Sequence, residues 1–233
     1  MNRLILFLVL LSASLVCATP TTTKYQARNA RQQGIVLSEV PQQVDTKARY
    51  LFYLSGYIVH TGNTRPTSPK FGIYEYQQIL DTLKQSGFVV ISEARKQSPE
   101  IEPYAAKIAG QVRQLLDAGV PPQNLTVVGA SQGAFITMLV STYLKNREVN
   151  FVVIGGCAAD DGFLQAVNLH GNVLFISERT DLPGSCEKFR ADATGLAKYK
   201  FVETNTGERH GFLYRPMREW VEPTIAWALG APN

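Results

Sequence analysis

Residues 125–139 read Leu125-Thr-Val-Val-Gly129-Ala-Ser131-Gln-Gly133-Ala-Phe-Ile-Thr-Met-Leu139. A short β-branched run is followed by Gly-x-Ser-x-Gly and then by an apolar stretch, which predicts a strand, a sharp turn and a helix. Gly129 and Gly133 leave room where a Cβ would collide with the strand or the helix. The pattern therefore predicts an elbow at which Ser131 points its hydroxyl out of the carboxyl edge of a sheet.

The rest of the chain alternates apolar runs typical of buried strands with segments of helical spacing. Strands are predicted at residues 48–55, 88–91, 149–154, 172–177 and 198–203, with an early strand near 35–40. Helices are predicted at residues 73–86, 103–118, after Ser131, and at 216–229. This rhythm predicts a single α/β domain over residues 34–233, with a mostly parallel sheet and helices on both faces.

Composition narrows the class of protein. The chain has 233 residues, of which 45% are hydrophobic and 18% are charged, and this suits one globular domain with a sizeable core. The formal net charge is only +4, and Lys and Arg are scattered, so we expect no nucleic-acid partner. No cluster of Cys and His indicates a metal, and no feature indicates an oligomeric state.

The N-terminus carries the pattern of a secretory signal peptide. Arg3 provides a positive start, Leu4 to Leu11 an apolar core, and Val16-Cys17-Ala18 a cleavage site, so residues 1–18 are predicted to be removed. The apolar run is too short for a comfortable membrane-spanning helix, and we expect no stable membrane insertion of the mature chain. Residues 19–33 are polar and are predicted to be a flexible lead-in. The expected location is secreted or periplasmic.

The mature chain keeps two cysteines, Cys157 and Cys186. In an oxidising compartment an even pair predicts a disulfide, and two buried free thiols are the alternative. Asn124-Leu-Thr126 has the form of a glycosylation sequon. Because it lies at the start of a predicted buried strand, we interpret it as incidental.

A serine hydroxyl becomes a useful nucleophile only beside a base, which in turn needs an orienting carboxylate. Of the three histidines, His60 precedes the serine and His170 lies in a turn before a strand, whereas His210 follows the last predicted strand. His210 is therefore the predicted base. Asp181, a short turn after the strand at 172–177, is the first choice of acid. The alternatives are Glu178 and then two carboxylates after the preceding strand, Asp160 and Asp161.

The chain order Ser131, Asp181, His210 resembles that of the α/β-hydrolase superfamily. The matching pieces are Leu54-Ser-Gly-Tyr57, Gly129-Ala-Ser131-Gln-Gly133, Ser177-Glu-Arg-Thr-Asp181 and His210-Gly-Phe212. The last piece is similar to the His-Gly-Phe of dienelactone-hydrolase-like and prolyl-oligopeptidase-like members. The chain also looks like small secreted or periplasmic members of the superfamily. It departs at Ser55, where a His is common in the family.

The resemblance implies an α/β-hydrolase fold and a serine esterase that acts on a small acyl substrate without metal or organic cofactor. Ser131 would attack the acyl carbon, His210 would transfer the proton, and Asp181 would orient the imidazole. The backbone N–H groups of Tyr57 and Gln132 would hold the oxyanion. On this map a disulfide between the two mature cysteines would brace the loop that carries the acid.

Two other interpretations are compatible with the same residues. A thioesterase, lipase or peptidase would use the same triad, although no apolar lid-like insertion indicates a long-chain lipase. A non-catalytic binding protein would keep the fold and the pocket without the reaction, because a fold does not dictate a function.

Overall fold

A computed structural model of the protein describes residues 34–96, 100–157, 161–181 and 186–230. The predicted signal peptide, residues 1–18, and the predicted lead-in, residues 19–33, lie outside the described residues. Within the described ranges, no helix combines the length and the apolar character that crossing a bilayer requires.

Seven parallel strands form the main sheet, in the spatial order β1-β5-β2-β6-β7-β8-β9. Their bounds are β1 Ile35–Leu37, β2 Tyr50–Leu54, β5 Val89–Ile91, β6 Leu125–Ala130, β7 Asn150–Ile154, β8 His170–Glu178 and β9 Gly195–Thr204. A separate antiparallel pair comprises β3 Thr67–Ser68 and β4 Gly72–Ile73. The all-parallel main sheet confirms the prediction from the strand–helix alternation.

The helices are α1 Tyr76–Gln85, α2 Ile101–Asp117, α3 Gln132–Leu144, α4 Asp161–Ala166, α5 Glu187–Ala191 and α6 Arg218–Ala228. Alternate residues of β2 enter two different cores, because successive strand side chains point to opposite faces. Tyr50 and Phe52 pack with α2 and α3 in one core, and Leu51 and Tyr53 pack with α1 and α6 in the other. Helices therefore cover both faces of the sheet, as predicted.

The structure corrects some element boundaries. The helix predicted at 73–86 begins only at Tyr76, because Gly72–Ile73 pairs with Thr67–Ser68 as β4. Helix α2 begins at Ile101, so that Pro103 lies in the first turn, where the missing proline N–H has no partner to lose. Helices α4 and α5 were not predicted, because 6 and 5 residues are too few to establish a helical period.

The topology brings three loops to one edge of the sheet. Strand β6 lies between β2 and β7, and β8 and β9 follow beyond β7. Ser131 follows β6, Asp181 follows β8 and His210 follows β9. Because all of these strands are parallel, their carboxyl ends meet at the same edge, where open α/β sheets place their ligand sites.

Candidate active site

Ser131 occupies a strained turn between β6 and α3. Its backbone has φ 54° and ψ −117°, a region that side-chain-bearing residues rarely adopt. A Cβ on Gly129 would lie 2.0 Å from the Gly133 oxygen, and a Cβ on Gly133 would lie 1.9 Å from the Leu54 oxygen. Neither contact is sterically possible, so only glycine fits on either side of this turn. The structure has the elbow that the Gly-x-Ser-x-Gly pattern predicts.

The structure brings Ser131, His210 and Asp181 into one line of hydrogen bonds. The His210 Nε2 lies 2.9 Å from the Ser131 Oγ, and the His210 Nδ1 lies 2.7 Å from the Asp181 Oδ2. The network is satisfied when Nδ1 carries the proton and donates a hydrogen bond to the carboxylate, so that Nε2 accepts the hydrogen bond of the serine hydroxyl. The side chains of His210 and Asp181 are 21% and 6% exposed, which keeps the imidazole accessible and its carboxylate sheltered.

His210 lies in a 3-10 turn, Arg209–Leu213, that follows β9. Gly155, after β7, has φ +63°, and a Cβ there would come within 3.6 Å of both the Asp181 Oδ2 and the His210 Cε1. These are ordinary van der Waals distances, so the positive φ, rather than a lack of space beside the two partners, is what favours glycine at this position. The other histidines bond elsewhere: the His60 Nδ1 lies 3.0 Å from the Thr61 oxygen, and the His170 Nδ1 lies 2.8 Å from the Asn168 oxygen.

Glu178, the second choice of acid, has a different environment. Its buried carboxylate accepts hydrogen bonds from the hydroxyls of Thr180, Thr204 and Thr206, at 2.8–2.9 Å, and from the Thr206 N–H at 2.9 Å. Burial alone raises the pKa of Glu178, but these donors together lower it to about 2. Glu178 thus joins the loop of Asp181 to the loop of His210. Asp160 and the side chain of Asp161, the third choice, lie outside the described part of the chain.

A cavity of about 200 Å³ opens in front of the serine. Apart from Ser131 and His210, its lining is uncharged and largely aromatic or aliphatic: Gly56, Tyr57, Ile58, Tyr74, Leu213 and Tyr214. A Cβ on Gly56 would lie 3.5 Å from the Ser131 Cβ, so the loop that follows β2 passes close to the serine. Tyr57, one of the two predicted oxyanion donors, lies in the cavity wall. Gln132, the other, is the first residue of α3 and directly follows the serine.

The long loop between β2 and α1 forms one side of the site. Its Phe71 ring lies 6.3 Å from the His210 ring and 5.5 Å from the Tyr214 ring, measured between centroids. Arg65 and Glu75 pair at 2.8 Å across the ends of the β3–β4 hairpin. No strand is predicted here from the sequence, and the structure has a short hairpin that places an aromatic ring against the histidine.

Cys157 and Cys186 are bonded to each other, with their Cα atoms 4.7 Å apart, and this confirms the predicted pairing. Cys157 follows β7, and Cys186 directly precedes α5. The bridge ties the segment after Asp181 to the neighbouring strand loop. Among the described residues there is no group of three or more His, Cys, Asp or Glu side chains with the arrangement of a metal site.

One residue near the site, Arg95, is not predicted from the sequence. It lies after β5, is only 3% exposed, and donates through Nη2 to the Ser55 oxygen at 2.6 Å and to the Gln132 Oε1 at 3.1 Å. The available signal was a cation placed shortly after an apolar strand, at the carboxyl edge of the sheet. Charged residues are common in such loops, so this signal did not distinguish Arg95 from its neighbours.

Comparisons with known proteins yield structural likenesses only. No protein-family model matches the sequence. No curated protein matches it either. Est1E from Butyrivibrio proteoclasticus is 13% identical with a TM-score of 0.51, over 82% of this chain and 91% of its own. An esterase/lipase from an uncultured bacterium is 13% identical with a TM-score of 0.53, over 94% and 92%. A structure from a study of the metagenome-derived lipolytic enzymes LipS and LipT is 12% identical with a TM-score of 0.53, over 84% and 99%.

Proposed function

We propose, on the premise that this chain has the α/β-hydrolase fold of these structural neighbours, that it is a serine hydrolase cleaving carboxylic esters of small acyl groups. The observation that carries the proposal is the hydrogen-bonded line from the Ser131 Oγ through the His210 imidazole to the Asp181 carboxylate. Such a line provides a nucleophile, a base and an orienting acid within hydrogen-bond reach of each other. The likeness to structures described as esterases and lipolytic enzymes supports the same class of reaction.

In the proposed reaction, the Ser131 Oγ forms a bond to the ester carbonyl carbon while its proton passes to the His210 Nε2. The carbonyl electron pair moves to oxygen, and the N–H groups of Gln132 and Tyr57 stabilise that oxyanion. Collapse of the tetrahedral intermediate breaks the ester C–O bond, and the imidazolium returns the proton to the leaving alcohol. A water molecule then repeats the sequence on the acyl-enzyme and releases the carboxylic acid.

The volume and the lining of the cavity favour a substrate with a small, uncharged acyl group. Its volume of about 200 Å³ is below the range of roughly 300–1,000 Å³ that is typical of sites for drug-sized ligands. Tyr57, Ile58 and Leu213 offer mainly apolar surface to the substrate. We therefore expect acetate and butyrate esters of 4-nitrophenol to be hydrolysed well and the decanoate ester poorly. Activity that rose steadily with acyl length would instead favour the lipase alternative.

We also propose that the protein works outside the cytoplasm. The proposal depends on the signal-peptide pattern of residues 1–18. The bond between Cys157 and Cys186 supports it, because such bonds persist mainly in oxidising compartments. Mass spectrometry of the protein recovered from its native cell fraction would test the cleavage. An uncleaved N-terminus in a cytoplasmic fraction would contradict it.

The decisive experiment is labelling of the purified protein with a fluorophosphonate probe. We expect the wild type to be labelled, and Ser131→Ala and His210→Ala to lose labelling. Ser38→Ala and His60→Ala are matched controls that change the same residue types away from the cavity lining and should be labelled normally. Failure of the folded, oxidised wild type to react would defeat the hydrolase proposal and favour the non-catalytic binding protein.

A further inference from the structure

Arg95 is a buried cation that the proposed reaction has not yet used. Burial lowers the pKa of its guanidinium, but an arginine side chain stays protonated in proteins, so a full positive charge resides here. Its Nε and Nη1 atoms are buried and have no hydrogen-bond partner among the described residues. The nearest carboxylate along the chain, Glu93, binds the Lys107 Nζ at 2.5 Å instead.

The surroundings of Arg95 are aromatic rather than acidic. The guanidinium carbon lies 5.4 Å from the centroid of the Tyr104 ring, and the hydroxyls of Tyr53 and Tyr74 bond to each other nearby at 2.8 Å. A cation–π contact offsets only part of the hydration free energy that a charge loses when it is buried. An unpaired buried charge normally destabilises a fold, so stability alone does not account for Arg95.

The two acceptors of Arg95 belong to the two chain segments that the proposed oxyanion site needs. The Ser55 carbonyl directly precedes the Gly56–Tyr57 segment in the cavity wall, and Gln132 directly follows the nucleophile. A single atom, the Arg95 Nη2, binds both. The backbone of Gly56 is also hydrogen-bonded to the Tyr74 hydroxyl, which holds the same segment from its other side. Arg95 therefore links the two segments directly.

We propose that Arg95 is a positioning residue of the oxyanion site: it holds the loop after β2 against the start of α3, and its unpaired charge stabilises the negative oxygen of the tetrahedral intermediate. The inference rests on the proposed hydrolase function. Before reaction the cation has no ion-pair partner among the described residues. During the proposed reaction a negative charge would develop between the two segments that the Arg95 Nη2 binds. Such an interaction is stronger in the transition state than in the ground state, so it acts on kcat rather than on KM.

The test compares Arg95→Met and Arg95→Lys with the wild type on 4-nitrophenyl acetate. We expect Arg95→Met to lower kcat by about 10- to 100-fold and to change KM by less than about twofold. Arg95→Lys keeps the charge and should recover a measurable part of kcat. Thr224→Val is the control for a loss of stability, because it removes a buried hydroxyl whose hydrogen bond to the Trp220 oxygen lies within α6; we expect its kcat to be unchanged.

The outcomes separate this inference from the proposed function. A wild type that neither hydrolyses esters nor reacts with the fluorophosphonate defeats both. An active wild type with an Arg95→Met variant of unchanged kcat, or with KM raised and kcat intact, overturns the role of Arg95 alone. If Arg95→Met does not fold, Gln132→Met removes one of the two acceptors and keeps its backbone N–H. That variant should lower kcat by at least about threefold, and an unchanged kcat would overturn the inference.

Discussion

Replacing Glu178 by Gln should destabilise the protein strongly at neutral pH. The Glu178 carboxylate accepts hydrogen bonds from Thr180, before Asp181, and from Thr204 and Thr206, before His210. The glutamine amide has nearly the same shape, but its NH₂ group would face some of these donors. A hydrogen bond there would be replaced by a repulsive contact between two donors. The change therefore removes the negative charge and loosens the link between the two loops while the packing volume stays the same.

The pKa of Glu178 sets the size of the effect. It falls from an ordinary 4.5 to about 2 in the folded protein. At about 1.36 kcal/mol per pKa unit, the ionised carboxylate contributes roughly 3 kcal/mol to the free energy of unfolding. Because the folded pKa is the lower one, this stabilisation is complete above pH 4.5 and is lost as the pH falls towards 2. At pH 3 less than half of it should remain.

The measurement is urea unfolding of the wild type and Glu178→Gln, followed by circular dichroism at pH 7 and pH 3. The difference in unfolding free energy should be about 3 kcal/mol at pH 7 and should shrink by about 2 kcal/mol at pH 3. Glu203→Gln is the control, because it removes an exposed carboxylate paired with Arg179 and should cost less than about 1 kcal/mol. A difference of equal size at both pH values would refute the reasoning, since the effect would then not come from ionisation.

Two further predictions concern the acid and the disulfide. Asp181→Asn should lower kcat by about a thousandfold with little change in KM. An amide can donate to the His210 Nδ1, which favours the tautomer whose Nε2 cannot accept the serine proton. Steady-state kinetics on 4-nitrophenyl acetate would check this, and a loss of less than about tenfold would contradict it. Replacing both Cys157 and Cys186 by Ser should lower the free energy of unfolding by about 3–4 kcal/mol, because the bridge closes a loop spanning 29 positions. Urea unfolding would measure this loss, and an unchanged free energy of unfolding would contradict the prediction.

The elements that the sequence predicted well are those whose signal is local and long enough. The buried strands β2, β6, β7 and β8 correspond to apolar runs, and the glycines around Ser131 have the steric reason that their spacing suggests. The hairpin β3–β4 was missed because each strand has only 2 residues, too few for an alternating pattern. Its Phe71 also packs beside His210, which lies far along the chain.

The sequence by itself determined the turn at Ser131, the strand–helix alternation and the chain order of the three predicted active-site residues, because these follow from sterics and periodicity over a few neighbouring positions. Only the tertiary structure decided which carboxylate contacts His210 and what Arg95 binds. The Ser131–His210 contact joins residues 79 positions apart, and the Arg95–Ser55 contact joins residues 40 apart. Such contacts depend on the order of strands in the sheet and on the paths of the loops between them, so no local pattern encodes them.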